Sequence, residues 1–411
     1  MIEFSRHTLD NGLRIIVHED DSTPLAAVNI LYNVGARNER PEKTGFAHLF
    51  EHLMFGGSEN VPSYDEPLQW AGGESNAFTN NDITNYYNIV PSGNLETAFW
   101  LESDRMMSLN FNNRSLDVQR KVVVEEFKEN YLNQPYGDAW HNISDLAFKV
   151  HPYRWPTIGL TPDHVENASL DDVKAFFFKF YRPNNAILVV TGNVKTEEVI
   201  QLAEKWFGEI PRGVAIDPNI PVEPEQKEKH ERRLKTSVPL DAMFLAFHMP
   251  ARIDPKFYYC DLLTDILATG NSSRLYRRLL MEQQLFSEVD AYVTGSIDPG
   301  LLIIEGKPSQ GVSLEEAEAA VWKELEELID TPIPDQELQK IKNKVESTLI
   351  FSEASVLNKA INLAFFELLG DADIINREPE YYRTITSIDL QKQAKETFRI
   401  ENCSRLYYEA V

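Results

Sequence analysis

The feature of this sequence that most constrains its fold is a repeat, because the second half of the chain follows the pattern of the first. The segment AMFLAFHMPA stands in the second half where AVNILYNVGA stands in the first, and LLTDILATGNSS stands where HLFEHLMFGGSE does. His48 aligns with Leu262, and Asn76 aligns with Asp290 at the same offset of 214 positions. Each match is weak alone, but matches that keep one order at one offset are typical of a duplicated unit.

The hydrophobic pattern of each half mixes strands with helices. Continuous or alternating apolar runs predict strands at LRIIVHE, LAAVNILYNVG, SNAFTN, NYYNIV and AILVVTGN. Helical periodicity predicts helices at residues 44–55, 94–109, 115–134, 168–180 and 195–208. The predicted fold class is therefore α+β, with two homologous domains that each pack helices on a mostly antiparallel β-sheet.

A segment rich in proline and charge separates the two halves. It reads GEIPRGVAIDPNIPVEPEQKEKHERR and shows little periodicity, which is typical of a linker. We therefore expect an N-terminal domain at 1–213, a linker at 214–232 and a C-terminal homologous domain at 233–411.

The charge balance limits the partners of the protein. The chain has 411 residues, with 40 Lys and Arg against 64 Asp and Glu, and a formal charge of −24. Such a surface repels phosphate groups, so nucleic acid and anionic membranes are not expected as partners. No apolar run approaches the roughly 18 residues of a membrane span. The expectation is a protein without a membrane span.

The cysteines and the N-terminus indicate a reducing compartment. Cys260 and Cys403 belong to no CxxC pair, and we expect both to be buried and reduced. The first residues contain no basic region followed by an apolar stretch, so no secretion signal is visible. The expected location is the cytoplasm.

The segment TGFAHLFEHLMFGGS places His48, Glu51 and His52 in an otherwise apolar helix. Residues four apart lie on one face, where two imidazoles can hold one zinc ion at about 2.0–2.1 Å. Glu51 lies on the same side and can take a proton from a water molecule at the metal. The alternative is a pair of satisfied core histidines beside a surface glutamate.

The repeat weighs against that alternative. In the second half, the three positions hold Leu262, Asp265 and Ile266. The second half is predicted to adopt the same fold without histidines at these positions. The histidines of the first half are therefore not explained by packing alone.

A catalytic zinc ion needs a third protein ligand and an open position. The helix in VQRKVVVEEFKENYLNQP offers one, since Glu126 has Val122 and Val123 one turn back and points toward the apolar face. Glu125 lies beside Lys128 on the wet face. A buried carboxylate is costly unless it is paired or bound to a metal, which selects Glu126 as the ligand. The alternative for Glu126 is a buried acid paired with an Arg or Lys.

These residues stand in a longer series of segments that resembles a known family. The segments, in order, are NGLRIIV, VGARNE, GFAHLFEHLMFGGS, GGESNAFTNNDITNYY, VVVEEF, HPYRWPTIG, FYRPNNAILVVTGN and, in the second half, GNSSRLYRRL. They resemble the inverted-zincin metallopeptidases, which include pitrilysin, insulin-degrading enzyme, the mitochondrial processing peptidase and bacterial relatives. The resemblance covers nearly the whole chain.

The resemblance implies specific roles. His48, His52 and Glu126 would bind one Zn²⁺ per chain, and Glu51 would be the general base. The length of the chain is similar to that of the short-chain branch, in which two chains form a closed chamber around a peptide substrate. The implied activity is that of a zinc-dependent endopeptidase.

The segment GGESNAFTNND resembles the substrate edge strand of the family. Glycines such as Gly73 allow close backbone approach, and free N–H and C=O groups can pair with an extended peptide. Asn76 and Ala77 stand where relatives contact the scissile region, and Thr79 completes the predicted substrate-binding set. The alternative is an ordinary sheet strand with a structural role for each side chain.

One departure from the family pattern lies close to the site. Relatives commonly carry a Glu seven residues before the third ligand, where this chain has Gln119. Gln119 keeps its hydrogen-bonding capacity but loses the charge. We expect it to support the zinc ligands and zinc binding to persist.

A second departure bears on activity. Active relatives carry an Arg and a Tyr, seven residues apart, where this chain has Leu280 and Ser287. Arg277, Arg278 and Tyr292 lie nearby but at a different helical phase or on a different strand.

We therefore expect the chain to be the zinc-bearing subunit of a hetero-oligomer, with a homologous sister subunit that supplies the Arg and the Tyr. A homodimer that uses other side chains is the alternative arrangement. A non-catalytic scaffold or core subunit is the rival function, but such chains usually lose the HxxEH motif that this chain keeps.

Overall fold

The computed structural model describes residues 1–216 and 219–411, which form two compact units. Asp217 and Pro218, inside the predicted linker 214–232, lie outside the described residues. Unit 1 consists of Met1–Lys128, Trp155–Ile220 and Ile350–Arg377, and unit 2 of Glu129–Arg154, Pro221–Leu349 and Glu378–Val411.

The sheet of unit 1 is mixed but mostly antiparallel. Its strands are β1 (Ser5–Thr8), β2 (Arg14–Glu19), β3 (Leu25–Tyr32), β4 (Glu74–Thr79), β5 (Thr84–Pro91) and β6 (Ala186–Gly192). Their order across the sheet is β1-β2-β6-β3-β5-β4, and only β2 and β6 run parallel among these pairs. Strand β4 is therefore an edge strand of this sheet.

The sheet of unit 2 repeats this topology. Its strands are β7 (His230–Thr236), β8 (Ala242–His248), β9 (Phe286–Val293), β10 (Leu301–Pro308) and β11 (Cys403–Ala410). The order is β7-β11-β8-β10-β9, with β7 and β11 parallel and the other pairs antiparallel. This order matches β2-β6-β3-β5-β4 strand for strand, so the predicted α+β fold of two homologous units is confirmed.

Both units contain helices as well as a sheet. In chain order, the α-helices of the described residues are α1 (Phe46–Phe55), α2 (Asp65–Trp70), α3 (Leu95–Met107), α4 (Asn113–Phe127), α5 (Ala139–Ala147), α6 (Pro162–Glu166), α7 (Leu170–Phe180), α8 (Thr196–Phe207), α9 (Lys256–Ala268), α10 (Leu314–Asp330), α11 (Asp335–Ser352), α12 (Val356–Leu368), α13 (Ile374–Thr384) and α14 (Ser387–Thr397). Two π-helical segments occur at Lys128–Leu132 and Leu275–Glu282. In unit 1, α1 packs against α4 and against the edge strand β4, and in unit 2 α9 packs against the edge strand β9.

Each unit takes one helix from the other half of the chain. Helix α12 packs on β3 and β6 in unit 1, and α5 packs on β7, β8 and β11 in unit 2. The compact units are therefore discontinuous, whereas the domains 1–213 and 233–411 were predicted as continuous segments. Those boundaries remain a prediction about the two homologous halves of the sequence.

The interiors of the units are apolar. In unit 2, one large cluster surrounds α9, and its members include Leu262, Leu263 and Ile266. Cys260 and Cys403 are both buried and form no disulfide. Within the described residues, no single helix is long and apolar enough to cross a membrane; by length and composition, only α11 and α12 taken together as a bent pair would pass such a test.

Candidate metal centre

Contacts of Gly45 and Glu39 determine where α1, the helix that carries the HxxEH motif, begins. Gly45, which precedes α1, has a φ of +84°, and a Cβ there would lie 2.6 Å from the backbone oxygen of Ile158. The buried Glu39 accepts hydrogen bonds from the backbone N–H groups of Gly45 at 2.9 Å and Ala47 at 2.8 Å. A helix start leaves such N–H groups without intrahelical partners, so Glu39 satisfies two of them. This contact fixes the start of α1 just before His48.

The structure brings together the three residues predicted as zinc ligands. Nε2 of His48 lies 3.7 Å from Oε2 of Glu126, and Nε2 of His52 lies 3.4 Å from the same oxygen. The two imidazole rings pack edge to face, with centroids 4.9 Å apart. The potential ligand atoms all lie within 4.8 Å of one another, and this is the only such group of three in residues 1–216 and 219–411.

The surroundings of His48 and Glu126 favour the forms of these side chains that bind metals. Burial lowers the pKa of the His48 imidazole, which favours the neutral form. The hydrogen bond with His52 lowers the pKa of the Glu126 carboxyl, which favours the anion. Neutral imidazoles and an ionised carboxylate are the ligand forms of these side chains.

The arrangement fits the requirements of zinc. Tetrahedral ligands at Zn–N distances of about 2.0–2.1 Å lie roughly 3.3–3.4 Å from one another, close to the two distances measured to Glu126. Two imidazoles and one carboxylate are also the donor set of a catalytic zinc site with an open fourth position. Side-chain exposures of 14% for His48, 26% for His52 and 34% for Glu126 leave this cluster accessible to a ligand.

Glu51 lies one residue before His52 and does not belong to the ligand group. Its Oε2 accepts a hydrogen bond of 2.6 Å from the hydroxyl of Thr79, the last residue of β4. The charge of Glu51 also raises the pKa of His48 against the effect of burial, which places the carboxylate near the candidate metal position, as a general base requires. The Thr79 hydroxyl is directed at Glu51, and a contact between Thr79 and substrate remains a prediction.

The other predicted substrate-binding residues lie on or before β4. Oδ1 of Asn76 accepts the N–H of Ala77 at 2.8 Å, and in unit 2 Oδ1 of Asp290 accepts the N–H of Ala291 at the same distance. This local hydrogen bond is therefore a property of the repeated fold. For Gly73 the structure gives a packing reason, because a Cβ there would lie 2.7 Å from side-chain atoms of both Leu68 and Val90.

The neighbours of Glu126 differ in part from the sequence expectation. Val123 is buried as predicted, but Val122 is 45% exposed, so Glu126 lies at the border of the apolar face. Glu125 is exposed and pairs with Lys128 at 2.7 Å, as expected for the wet face. The Glu126 side chain approaches both histidines and is not paired with an Arg or Lys among the described residues.

Gln119 lies in α4 near the end of α1. Its Nε2 would be 3.7 Å from a Cβ on Gly56, the residue that follows α1. Gln119 is therefore half-buried beside the residue that follows the helix of the histidines, and its supporting role remains a prediction.

The equivalent helix of unit 2 lacks the site. Leu262 and Ile266 of α9 are buried in an apolar core, and Asp265 lies 3.5 Å from Lys344. The same fold is therefore built there without imidazoles, which supports the comparison made from the sequence.

The positions of the missing Arg and Tyr have ordinary structural roles. Leu280 packs against the core of unit 2, and the exposed Ser287 donates to the backbone oxygen of Lys307 at 3.1 Å. Arg278 binds Glu324 and Glu327, and the Tyr292 hydroxyl donates to Glu305 at 3.1 Å. Arg277 is exposed and lies 3.6 Å from Glu282.

Sequence reasoning missed Glu39 as a member of this site. The signal was present, because Glu39 ends the VGARNE segment that contributed to the family resemblance. Nothing in the local pattern, however, showed that this acid is buried at the start of a helix.

Comparison with known proteins finds peptidase family models and a relative that is named a zinc protease, in agreement with a candidate zinc site. A family model described as insulinase (peptidase family M16) matches residues 14–158, and a model of the peptidase M16 inactive domain matches residues 167–345. The zinc protease PqqE of Helicobacter pylori is 29% identical over 401 residues, which cover 95% of this chain and 89% of that protein.

Two further similarities cover most of the chain. A crystal structure of a protease from Helicobacter pylori has a TM-score of 0.94 and 28% sequence identity, with both chains covered completely. The probable mitochondrial-processing peptidase subunit beta of Arabidopsis thaliana is 24% identical over 360 residues, which cover 84% of this chain and 66% of that protein. With both halves of its sequence matched by M16 models and its whole length matched by relatives, the chain belongs to the pitrilysin-type peptidases, peptidase family M16.

Proposed function

We propose that this chain is a zinc-dependent endopeptidase that cleaves peptides or unfolded segments. The observation that carries the proposal is the convergence of His48, His52 and Glu126, with Glu51 adjacent to them and outside the ligand group. The name of the zinc protease from Helicobacter pylori gives independent support for the choice of metal.

The candidate ligands and Glu51 have different roles in hydrolysis. His48, His52 and Glu126 hold one zinc ion, which, when bound, polarises the peptide carbonyl and lowers the pKa of a water molecule. Glu51 accepts the proton of the attacking water and delivers it to the leaving amine. No covalent acyl-enzyme is required, because the attacking group is water.

The substrate is held as an extra strand on β4. This strand pairs on one side with β5 and has no other partner strand in the described part of the sheet, so its outer N–H and C=O groups can bind an extended peptide. Main-chain pairing tolerates many side chains and requires an extended, unfolded segment.

Turnover requires a homologous sister subunit in this proposal. Leu280 and Ser287 replace the expected Arg and Tyr, while Arg278 and Tyr292 are engaged by acids of their own unit. The relative from Arabidopsis is itself named as the beta subunit of a processing peptidase. A homodimer remains the alternative assembly, and a non-catalytic core subunit the alternative function.

The test measures zinc per chain and cleavage of a quenched peptide, with and without the sister subunit. We expect about one zinc per chain, cleavage only with the sister, and loss of cleavage in Glu51→Gln with zinc retained. An exposed acid, Glu59, gives the matched control Glu59→Gln. Cleavage by the lone chain would refute the need for a sister, and absence of zinc would refute the proposal itself. Zinc without cleavage under either condition would favour the core subunit.

A further inference from the structure

We propose that Thr79 is a positioning residue for Glu51, and that the short segment Gly35–Glu39 sets the relative positions of these two side chains. The inference rests on the proposed peptidase function, in which Glu51 is the general base. It assigns Thr79 a role in the chemistry through Glu51 and gives the VGARNE segment a function.

The contact itself is short and directional. The Thr79 hydroxyl donates to Oε2 of Glu51 at 2.6 Å, near the short end of the range for O–H···O hydrogen bonds. The terminal torsion of a glutamate has a broad energy profile, so a free carboxylate samples many orientations. A hydrogen bond at Oε2 restricts the orientations of the carboxylate and leaves Oε1 to accept a proton.

Thr79 is the last residue of β4, and the turn that follows it is tightly bonded. The N–H of Asn80 donates to the oxygen of Ile83 at 3.0 Å, and Oδ1 of Asn80 accepts from the N–H groups of Asp82 at 2.8 Å and Ile83 at 2.9 Å. These bonds close the turn that directly follows Thr79.

The segment Gly35–Glu39 holds this turn in place. The N–H of Ala36 donates to the oxygen of Asn80 at 3.2 Å, and the N–H of Arg37 donates to the oxygen of Asn81 at 2.8 Å. The Arg37 side chain also forms a 3.3 Å ion pair with Asp82, and both side chains are less than 10% exposed.

Close approach of the two backbones depends on Gly35. A Cβ at this position would lie 2.5 Å from backbone atoms of Asn80, Asn81 and Asp82, a distance that real Cβ atoms do not tolerate. The turn after Thr79 can therefore lie this close only to a glycine.

The other end of the same segment holds the helix of Glu51. Glu39 binds the N–H groups of Gly45 and Ala47 at the start of α1, and Glu51 lies one helical turn after Ala47. One five-residue segment thus fixes both the strand end that presents the hydroxyl and the helix that presents the carboxylate. The segment Gly35–Glu39 therefore sets the separation between Thr79 and Glu51.

The first experiment compares Thr79→Val, which keeps the shape and removes the hydroxyl, with Thr79→Ser, which keeps the hydroxyl. The zinc-loaded full chain is assayed in its active assembly. We expect kcat to fall about tenfold to a hundredfold in Thr79→Val with KM within about twofold, because orientation of the base acts on the chemical step. Thr79→Ser should retain kcat within about threefold. Equal kcat in Thr79→Val and wild type would overturn the inference and leave the peptidase proposal intact.

The second experiment does not depend on activity or metal. Unfolding midpoints of the metal-free chain are measured for Thr79→Val, Glu51→Ala and the double variant. We expect Thr79→Val to lower the midpoint in the wild-type background and to shift it by less than half as much when Glu51 is already absent. Additive shifts would show that the two side chains do not interact and would overturn the inference, even if the wild type proved to have no peptidase activity.

Discussion

Oε1 of Glu39 accepts a hydrogen bond of 2.8 Å from the backbone N–H of Ala47, one residue before the candidate ligand His48. Oε2 of the same carboxylate accepts from Gly45 at 2.9 Å. The first turn of α1 is thus held by a buried side chain from the preceding loop. The position of His48 therefore depends on a buried side chain that is not itself one of the candidate ligands.

Replacement of Glu39 by alanine should loosen the start of α1. Two backbone N–H groups would lose their acceptors in a buried place, so we expect a loss of about 1–3 kcal/mol in the free energy of unfolding. Because Glu39 supports the helix of two ligands, zinc affinity should fall about tenfold to a hundredfold. Urea unfolding of the metal-free chain and zinc titration against a chelator measure the two effects.

The exposed acid Glu42, three positions later, provides the control. Glu42→Ala should change the free energy of unfolding by less than about 0.5 kcal/mol and leave zinc affinity unchanged. If Glu39→Ala had the same zinc affinity and the same free energy of unfolding as the wild type, the role assigned to the Glu39 side chain would be wrong.

Glu39 also predicts a pH dependence of stability. Burial raises the pKa of its carboxyl to about 8, against the opposing effect of the backbone N–H groups. Between about pH 4.5 and 8 the folded chain holds a proton that the unfolded chain releases, so stability falls as pH rises, by at most about 1.4 kcal/mol per pH unit. The stabilisation is complete below about pH 4.5 and is lost as pH passes 8.

The measurement is the free energy of unfolding from pH 5 to 8.5 for wild type and Glu39→Gln, in the absence of metal. The difference between the two curves isolates this carboxyl from all other titrating groups. We expect the difference to change by several kcal/mol over this range. A difference that stays constant with pH would mean that Glu39 is ionised throughout.

The local elements and the cluster of ligands were predictable from the sequence because they depend on short-range periodicity. Helix α1 was expected at residues 44–55 and occurs at Phe46–Phe55. The spacing of four between His48 and His52 fixes their common face in any helix. The structure places Glu126, and not Glu125, beside the two histidines, as Val123 and Lys128 on the two sides of α4 had indicated, although Val122 is exposed. The role of Glu126 as a ligand remains a prediction.

The exchange of α5 and α12 between the two halves was not predictable. Both helices have the apolar face of any helix that covers a sheet, and that pattern does not specify which sheet is covered. The contact between Thr79 and Glu51 likewise joins residues 28 positions apart. It depends on how β4 packs against α1, which single-residue patterns do not encode.

Two neighbouring glutamates of α4 give a sharp test of the metal centre. Glu126→Gln removes the carboxylate shared by both histidines, so we expect zinc affinity to fall by at least a hundredfold and cleavage to be lost. Glu125→Gln removes an exposed carboxylate paired with Lys128 and should leave about one zinc per chain and wild-type kcat. Zinc content after gel filtration and peptide cleavage are the measurements. Equal zinc content in the two variants would exclude Glu126 as a ligand.

A substitution at Gly35 tests whether the segment Gly35–Glu39 positions Thr79 relative to Glu51. The variant Gly35→Ala places a Cβ 2.5 Å from the backbone of Asn80, so the turn after β4 must move, at a cost of about 1–3 kcal/mol in the free energy of unfolding. Because that movement displaces Thr79, kcat should fall by about tenfold or more.

Gly93 is the matched glycine for this experiment. It is exposed, no described atom beyond its chain neighbours lies within 4 Å of the place where its Cβ would be, and its backbone does not adopt a positive φ. Gly93→Ala should therefore be neutral or stabilise the chain by up to about 1 kcal/mol, with unchanged kcat. If Gly35→Ala lowered the free energy of unfolding but kept wild-type kcat, displacement of the turn would not affect the position of Glu51. The segment Gly35–Glu39 would then contribute to folding alone.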